Sequence, residues 1–143
     1  MKPKAFYIWT GLSILCMIVI FISSSIEGDE SAAASMGIVN YIRLVIDIDA
    51  DLLNFLVRKT AHVAVFFILS FCVTNAVKYV TFSGSHVFLI SWGISSAYGV
   101  LDEIHQYFVP GRVCALSDML INAFGALLGT VLAYMLFVRG RKI

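Results

Sequence analysis

Charged residues are scarce in this chain: they make up 13% of its 143 residues, while 60% are hydrophobic. A soluble domain needs more charge than this to cover its surface, so the composition excludes a water-soluble globular protein. The chain also lacks a basic patch, since its formal net charge is only +1, and we expect no nucleic-acid partner. The composition predicts an integral membrane protein.

The chain also has few cysteines and no internal sequence repeat. Of the three cysteines, Cys16 and Cys72 lie in apolar stretches and only Cys114 lies in a predicted loop. Three cysteines so placed do not form a disulfide framework. No repeat and no second domain is visible, so we expect one domain over residues 1–143.

Long hydrophobic runs, in contrast, are plentiful. Four stretches approach the ~20 residues that cross a bilayer, at about 5–23, 60–80, 86–108 and 118–138. The first is longer than a signal-peptide core of ~7–15 residues, so we expect it to remain as an uncleaved span. The predicted fold is an all-α membrane protein with a four-transmembrane-helix bundle.

The segment between the first two spans, residues 24–58, has a pattern of its own. It starts with small and acidic residues and continues with apolar residues at helical spacing, namely Ile38, Tyr41, Ile42, Val45 and Ile46. This spacing favours an interfacial or re-entrant helix in the first external loop. Aspartates offer a turn and an N-cap before the second span, at Asp47, Asp49 and Asp51.

The ten basic residues fall into two groups that predict orientation. One group is Lys2, Lys4, Lys78, Arg139, Arg141 and Lys142. The other is Arg43, Arg58, Lys59 and Arg112, on the side where all nine acidic residues also fall. Because basic residues near span ends favour the cytoplasm, we expect a plasma or inner membrane protein with both termini cytoplasmic. The acidic side is then extracytoplasmic.

Polar clusters lie where the apolar stretches meet this acidic side. Arg58-Lys59-x-x-His62 places the three side chains on one helical face, with His62 one turn deeper. Pro110-Gly111 marks a tight turn that holds Arg112 just outside the membrane. Ionisable groups at the edge of hydrocarbon usually meet one another, water or a ligand, so the clusters predict a site.

The third stretch contributes a cluster near its end. Asp102 aligns with His105 and Gln106 on a helix. Glu103 continues a row of small residues at steps of four, namely Ser91, Ser95 and Gly99. Small residues let a second helix approach closely, so we expect Glu103 to face the bundle interior.

The fourth stretch carries Asp118, Asn122, Gly125 and Gly129 on one face. The two glycines form a close-contact motif that would bring Asp118 and Asn122 against a neighbouring helix. Asp118 lies near the predicted N-terminus of this helix, where the helix dipole stabilises a negative charge by roughly 0.3–1 kcal/mol. Its carboxylate therefore needs a cationic partner less than a carboxylate elsewhere would.

The carboxylates of the third stretch lie at the other end of their helix from that of Asp118. Asp102 and Glu103 lie near a helix C-terminus, where the helix dipole opposes negative charge. Both need cations, and we expect these from Arg58, Lys59 or Arg112.

Together the motifs resemble the VanZ-like family of bacterial membrane proteins. The resemblance covers about residues 55–130 and includes the run from Asp102 through Phe108 to Arg112. The founding member of that family is associated with resistance to teicoplanin, a lipid-tailed glycopeptide antibiotic. The resemblance therefore implies a cell-envelope protein that contributes to glycopeptide resistance, and it assigns no residue a role.

The residues favour a binding function slightly over the alternatives. A basic and polar pocket could hold an anionic lipid head group or an amphiphilic glycopeptide. Its candidate residues are Arg58, Lys59, Asp102, Gln106, Arg112, Asp118 and Asn122. Transport ranks lower, because the cytoplasmic half shows almost no polar path across the membrane: between the first span and the C-terminal tail, Lys78 and His86 are the only Lys, Arg, His, Asp or Glu residues near that side.

An enzyme acting on a lipid phosphate or envelope lipid is the second interpretation. His62, Glu103 and His105 would then supply acid and base chemistry. A metal variant would use Asp102, Glu103, His105 and Asp118, but their spacing matches no known metal motif. We expect no metal and no cofactor. The third interpretation is structural, with the polar groups only joining the helices.

Overall fold

The computed structural model describes residues 2–81 and 83–139. In these ranges the chain forms five α-helices and no strand: α1 (Lys4–Ser24), α2 (Gly28–Ile42), α3 (Ala50–Val77), α4 (Gly84–Tyr107) and α5 (Leu116–Phe137). All except α2 are long and apolar enough to cross a membrane. The predicted all-α fold with four spans is confirmed. Arg141 and Lys142, used above to predict orientation, lie outside the described residues.

The second span begins earlier than predicted. α3 starts at Ala50 rather than at residue 60, because Asp49 is its N-cap and accepts a hydrogen bond from the Leu52 N–H at 2.9 Å. The predicted capping by this group of aspartates is confirmed. Arg58 and Lys59 consequently lie inside α3 rather than ahead of it, so the helix itself fixes the positions of both side chains.

The first loop contains a helix, but it is shifted from the predicted position, and its interfacial or re-entrant placement stays a prediction. α2 runs from Gly28 to Ile42, so the small, acidic part of the loop is helical, while Val45 and Ile46 lie beyond its end. It packs against α3. Its first residue is held by the α4–α5 loop, since the Gly28 N–H donates to the Pro110 carbonyl at 3.0 Å.

The turn between α4 and α5 depends on glycine. Gly111 has φ +70°, a left-handed conformation that side chains disfavour, as the predicted turn requires. A side chain at Gly28 would overlap the backbone of Gly111. The two glycines therefore let the α4–α5 loop dock directly on the start of α2.

α5 packs along α3 through the predicted glycine face. A Cβ atom at Gly125 would lie 2.9 Å from the Cα of Val63, and one at Gly129 would overlap the Phe67 carbonyl and the Ser70 hydroxyl. α3 and α5 form the most extensive helix pair and run in parallel. The close-contact face is confirmed, and its partner is α3.

An apolar core lies further along the bundle, formed by Ile20, Phe66, Leu69 and Val73. The Tyr98 hydroxyl donates to the Met17 carbonyl at 2.7 Å and joins α4 to α1. We call the polar end of the bundle the end at which α1 and α4 finish and α3 and α5 begin. Beyond the core, the buried polar side chains of α3 bond mostly to carbonyls of their own helix, as Thr74 does to Ser70 at 2.7 Å.

Candidate functional site

Two cavities lie side by side at the polar end. The inner cavity, of about 260 Å³, is bounded by α2, α3 and the end of α4, and its apolar lining includes Ala34, Ile38, Val57, Ala61 and Val65. The outer cavity, of about 430 Å³, is bounded by the start of α3 and the α4–α5 loop, and its lining includes Asp51, Asn54, Phe55, Lys59 and Asp118. Arg58, Gln106 and Arg112 line both cavities and form the wall between them.

Two arginines dominate this wall. Arg58 projects from α3 and makes no hydrogen bond or ion pair with any residue in the described ranges. Arg112 follows the Gly111 turn, and its Nε and Nη2 donate to the carbonyls of Ile26 at 3.1 Å and Ser23 at 3.3 Å. The wall thus presents two guanidinium groups, and neither is in an ion pair with a described carboxylate.

Both burial and the neighbouring Arg58 affect the pKa of Arg112. Burial lowers the pKa of the Arg112 guanidinium, and the nearby charge of Arg58 lowers this pKa further. The carboxylates of Asp102 and Glu103 act in the opposite direction. Arginine still stays protonated in proteins, so the site keeps both charges and would gain from a bound anion.

The carboxylates of α4 are buried but not ion-paired. Asp102 is 5% exposed and its Oδ2 accepts a hydrogen bond from Gln106 Nε2 at 2.9 Å. Glu103 is 0% exposed, as predicted for an interior position, and its Oε2 accepts from the Ala115 N–H at 3.3 Å. Glu103 Oε1 has no hydrogen-bond partner in the described part of the chain. Neither carboxylate forms a direct ion pair among the described residues, but both act electrostatically on the Arg112 guanidinium, so an expected cation lies nearby without direct contact.

The ion pair forms elsewhere, between Lys59 on α3 and Asp118 on α5. Asp118 was the carboxylate that we expected to need a cation least, because the dipole of α5 already stabilises its charge. Packing decides the pairing, since the glycine face of α5 lies on α3 and carries Asp118 to Lys59. The Lys59 Nζ also lies 5.2 Å from the centroid of the Phe55 ring, at the edge of the outer cavity.

One turn deeper, His62 and Asn122 join the same two helices. The Nδ1 of His62 lies 3.0 Å from the Oδ1 of Asn122, whose side chain is fully buried. With the Asn122 amide in this orientation its oxygen accepts the hydrogen bond, so His62 Nδ1 carries the hydrogen. In the neutral ring Nε2 is then the free acceptor, and the ring lines the inner cavity.

His105 does not belong to this site. Its ring stacks on Phe21 with centroids 4.4 Å apart, and its Nε2 lies 3.0 Å from the Ser25 hydroxyl. It lines neither cavity. Two residues along a helix rotate a side chain by about 200°, so His105 faces α1 while Glu103 faces the interior. The structure therefore places His105 apart from the residues that line the two cavities.

The residues of the metal variant are also separated. In the described ranges no three His, Cys, Asp or Glu side chains come together as metal ligands. Asp118 is paired with Lys59, and His105 lies on the α1 side. The structure therefore does not assemble the four predicted metal ligands.

Several lining residues were not among the predicted site residues, and Asn54 and Phe55 are two of them. Asn54 and Phe55 line the outer cavity, and the Oδ1 of Asn54 is buried without a partner in the described residues. The sequence does hold a signal for Asn54, since it lies one helical turn before Arg58 and shares its face. Asn54 was missed because the predicted second span began at residue 60, after both Asn54 and Arg58.

Comparison with known families identifies the family of this chain. The model of the VanZ/LLP1 family matches residues 9–138, nearly the whole chain. No curated protein matches the chain. No solved structure matches it either.

Proposed function

The chain belongs to the VanZ/LLP1 family of proteins, and we propose that it binds an anionic, lipid-tailed ligand at the polar end of its membrane bundle. The observation that carries this proposal is the pair Arg58 and Arg112 in the wall between two cavities. Neither guanidinium is ion-paired in the described residues, and Arg58 has no hydrogen bond there. Two adjacent guanidinium groups match a phosphate or carboxylate, which each can bind through two parallel hydrogen bonds.

The inner cavity supports a lipid tail rather than a wholly polar ligand. Its surface is mainly apolar, with Ile38 of α2 and Val57 and Val65 of α3 on its walls. Ligand pockets are typically apolar with a few placed polar groups that fix orientation. A tail in the inner cavity leaves its anionic head at the two arginines.

The distribution of charge supports a site on the outer face of the plasma membrane. The described basic residues Lys2, Lys4 and Lys78 lie at the opposite end from the two arginines of the wall. Basic residues near span ends favour the cytoplasm, which leaves the polar end extracytoplasmic. Single cysteines introduced at Tyr41 and at Lys78, in a background with Cys16, Cys72 and Cys114 replaced by serine, test this in intact cells. Labelling of Tyr41→Cys alone by an impermeant maleimide is expected, and labelling of Lys78→Cys alone would reverse the orientation.

Lipid binding by purified protein tests the site. Native mass spectrometry with dioctanoyl phosphatidylglycerol is expected to show binding to the wild type and at least a tenfold loss for Arg58→Ala and for Arg112→Ala. Arg43→Ala is the matched control, because Arg43 is exposed at the same end and lines neither cavity. Equal loss in all three variants would show that binding depends on overall charge and not on this site.

Glycopeptide resistance is the cellular role that we propose for this binding. Sequestering a lipid-tailed drug, or the lipid beside its target, at the outer leaflet would lower the effective drug concentration. A teicoplanin-sensitive host that expresses the wild type or Arg43→Ala is expected to be protected, and Arg58→Ala is expected to protect less at equal membrane abundance. Full protection by Arg58→Ala would separate resistance from this site.

A membrane enzyme is the second candidate, and the His62–Asn122 hydrogen bond favours it. That bond leaves Nε2 of the cavity-lining ring able to accept a proton from a water that attacks a bound phosphate ester. The P–O bond then breaks, and the leaving oxygen takes the proton back. Release of phosphate or of the alcohol from dioctanoyl phosphatidic acid, abolished in His62→Gln at retained lipid binding, would establish the enzyme. No release by the wild type would leave the binding function alone.

A further inference from the structure

The outer cavity carries a further inference, which rests on the proposed lipid binding and concerns the head group. We propose that the ligand is an anionic lipid whose phosphate bears a neutral, hydroxyl-rich head group such as a sugar or cyclic polyol. Its phosphate lies at Arg58 and Arg112, and its head group occupies the outer cavity. The two cavities share these arginines, and the outer one, of about 430 Å³, leaves room for a group beyond the phosphate.

The charges around the outer cavity favour a neutral group there. Lys59 is already neutralised by Asp118. Asp51 adds a carboxylate that is exposed and has no cation partner in the described residues. Beyond the two arginines the lining therefore has no spare positive charge, and a second phosphate would meet the unpaired carboxylate of Asp51. A neutral head group avoids this repulsion.

The hydrogen-bonding groups of the outer cavity favour hydroxyls. The Oδ1 of Asn54 is a buried acceptor that lacks a donor in the described residues. Leaving a buried acceptor unpaired is unfavourable, and a rotation of the Asn54 amide toward the cavity would let a ligand hydroxyl satisfy it. Asp51 offers a second acceptor, and Phe55, which is 54% exposed, offers an apolar face to the C–H side of a ring. Acceptors beside an aromatic face suit a polyol ring better than an amine or an alkyl group.

The test compares two lipids of equal charge and equal tails in the purified full chain. Dioctanoyl phosphatidylinositol carries a polyol ring, and dioctanoyl phosphatidylmethanol carries a methyl group in its place. The wild type is expected to bind the inositol lipid at least fivefold more tightly, and Asn54→Ala is expected to bring this ratio close to one. Arg43→Ala should keep the wild-type ratio.

Each other result contradicts a specific part of the proposal. Equal affinity for the two lipids in the wild type, or an unchanged ratio in Asn54→Ala, would overturn the head-group inference while lipid binding stands. Failure to bind either lipid would overturn the proposed function itself. Inositol 1-phosphate, which lacks tails, is expected to bind at least tenfold more weakly than the inositol lipid. Equal affinity for inositol 1-phosphate and the inositol lipid would indicate that the site binds a soluble phosphate ester, and it would contradict the proposal of a lipid ligand.

Discussion

The Nδ1 of His62 lies 3.0 Å from the Oδ1 of Asn122, and this bond joins α3 to α5 beneath the Lys59–Asp118 ion pair. The two contacts share one interface with the glycine face of α5. The side of α3 that carries Lys59 and His62 is thus held against α5, while Arg58 remains directed to the cavities. Packing and ligand binding can therefore be tested by different substitutions.

The hydrogen bond between His62 and Asn122 predicts energetic coupling. A double-mutant cycle of His62→Ala and Asn122→Ala, measured by unfolding in detergent, is expected to give a coupling free energy of about 0.5–1.5 kcal/mol. As a control, His62→Ala and Gly93→Ala should combine additively, because a side chain at Gly93 meets nothing within 4 Å. Additivity in the first cycle as well would contradict the bond.

The glycine face of α5 predicts a steric effect. In Gly125→Ala the new methyl group would lie 2.9 Å from the Cα of Val63, so α3 and α5 must move apart. Overpacking of this kind costs about 1–3 kcal/mol, which should lower the Tm in detergent. Gly93→Ala has open space and a better helix former, so its Tm should not fall. Equal Tm values for the two variants would refute the packing.

The Lys59–Asp118 ion pair predicts asymmetric rescue. Lys59→Ala and Asp118→Ala should each lower the Tm, because each leaves a partly buried charge without its partner. Exchanging the residues restores the pair but puts a lysine at the N-terminus of α5, where the helix dipole opposes positive charge. The exchanged protein is therefore expected to have a Tm between those of the single variants and the wild type. A Tm below both single variants would argue against the pair.

The turn at Gly111 predicts a loss of both stability and binding. Gly111→Ala places a side chain at φ +70°, at a cost of about 1–2 kcal/mol, and disturbs the loop that positions Arg112. Tm and affinity for phosphatidylglycerol should fall together, and less in Gly111→Asn, since asparagine tolerates this conformation. Gly37→Ala in α2, where a Cβ meets nothing within 4 Å, is the control. Unchanged affinity in Gly111→Ala would show that Arg112 does not need the turn.

The charged surroundings of Arg112 predict a pH effect in Arg112→Lys. Burial and Arg58 lower the pKa of a cation at this position, so a lysine there should titrate below its ordinary value of about 10.4. The charge is present below that pKa and lost as the pH rises. Affinity for phosphatidylglycerol should fall in Arg112→Lys as the pH rises through this lowered pKa, and stay constant in the wild type, where arginine remains charged. Parallel pH curves would contradict the prediction.

Much of the candidate site could be anticipated from helical spacing. The interior position of Glu103, the close-contact face with Gly125 and Gly129, and the turn at Gly111 are all local consequences of residue type and periodicity. Spacing along one helix says which side chains share a face. It does not say which other helix that face meets, so the pairing of Lys59 with Asp118 was not predicted.

The sequence by itself determined that this protein lies in a membrane and where its four spans fall. Its long apolar runs and scarce charge could not be accommodated in water. The tertiary structure decided which polar groups meet. It paired Lys59 with Asp118, turned His105 toward α1, and left Arg58 and Arg112 together between two cavities. These outcomes depend on the rotation and contact of whole helices, and packing between residues far apart in the chain sets both.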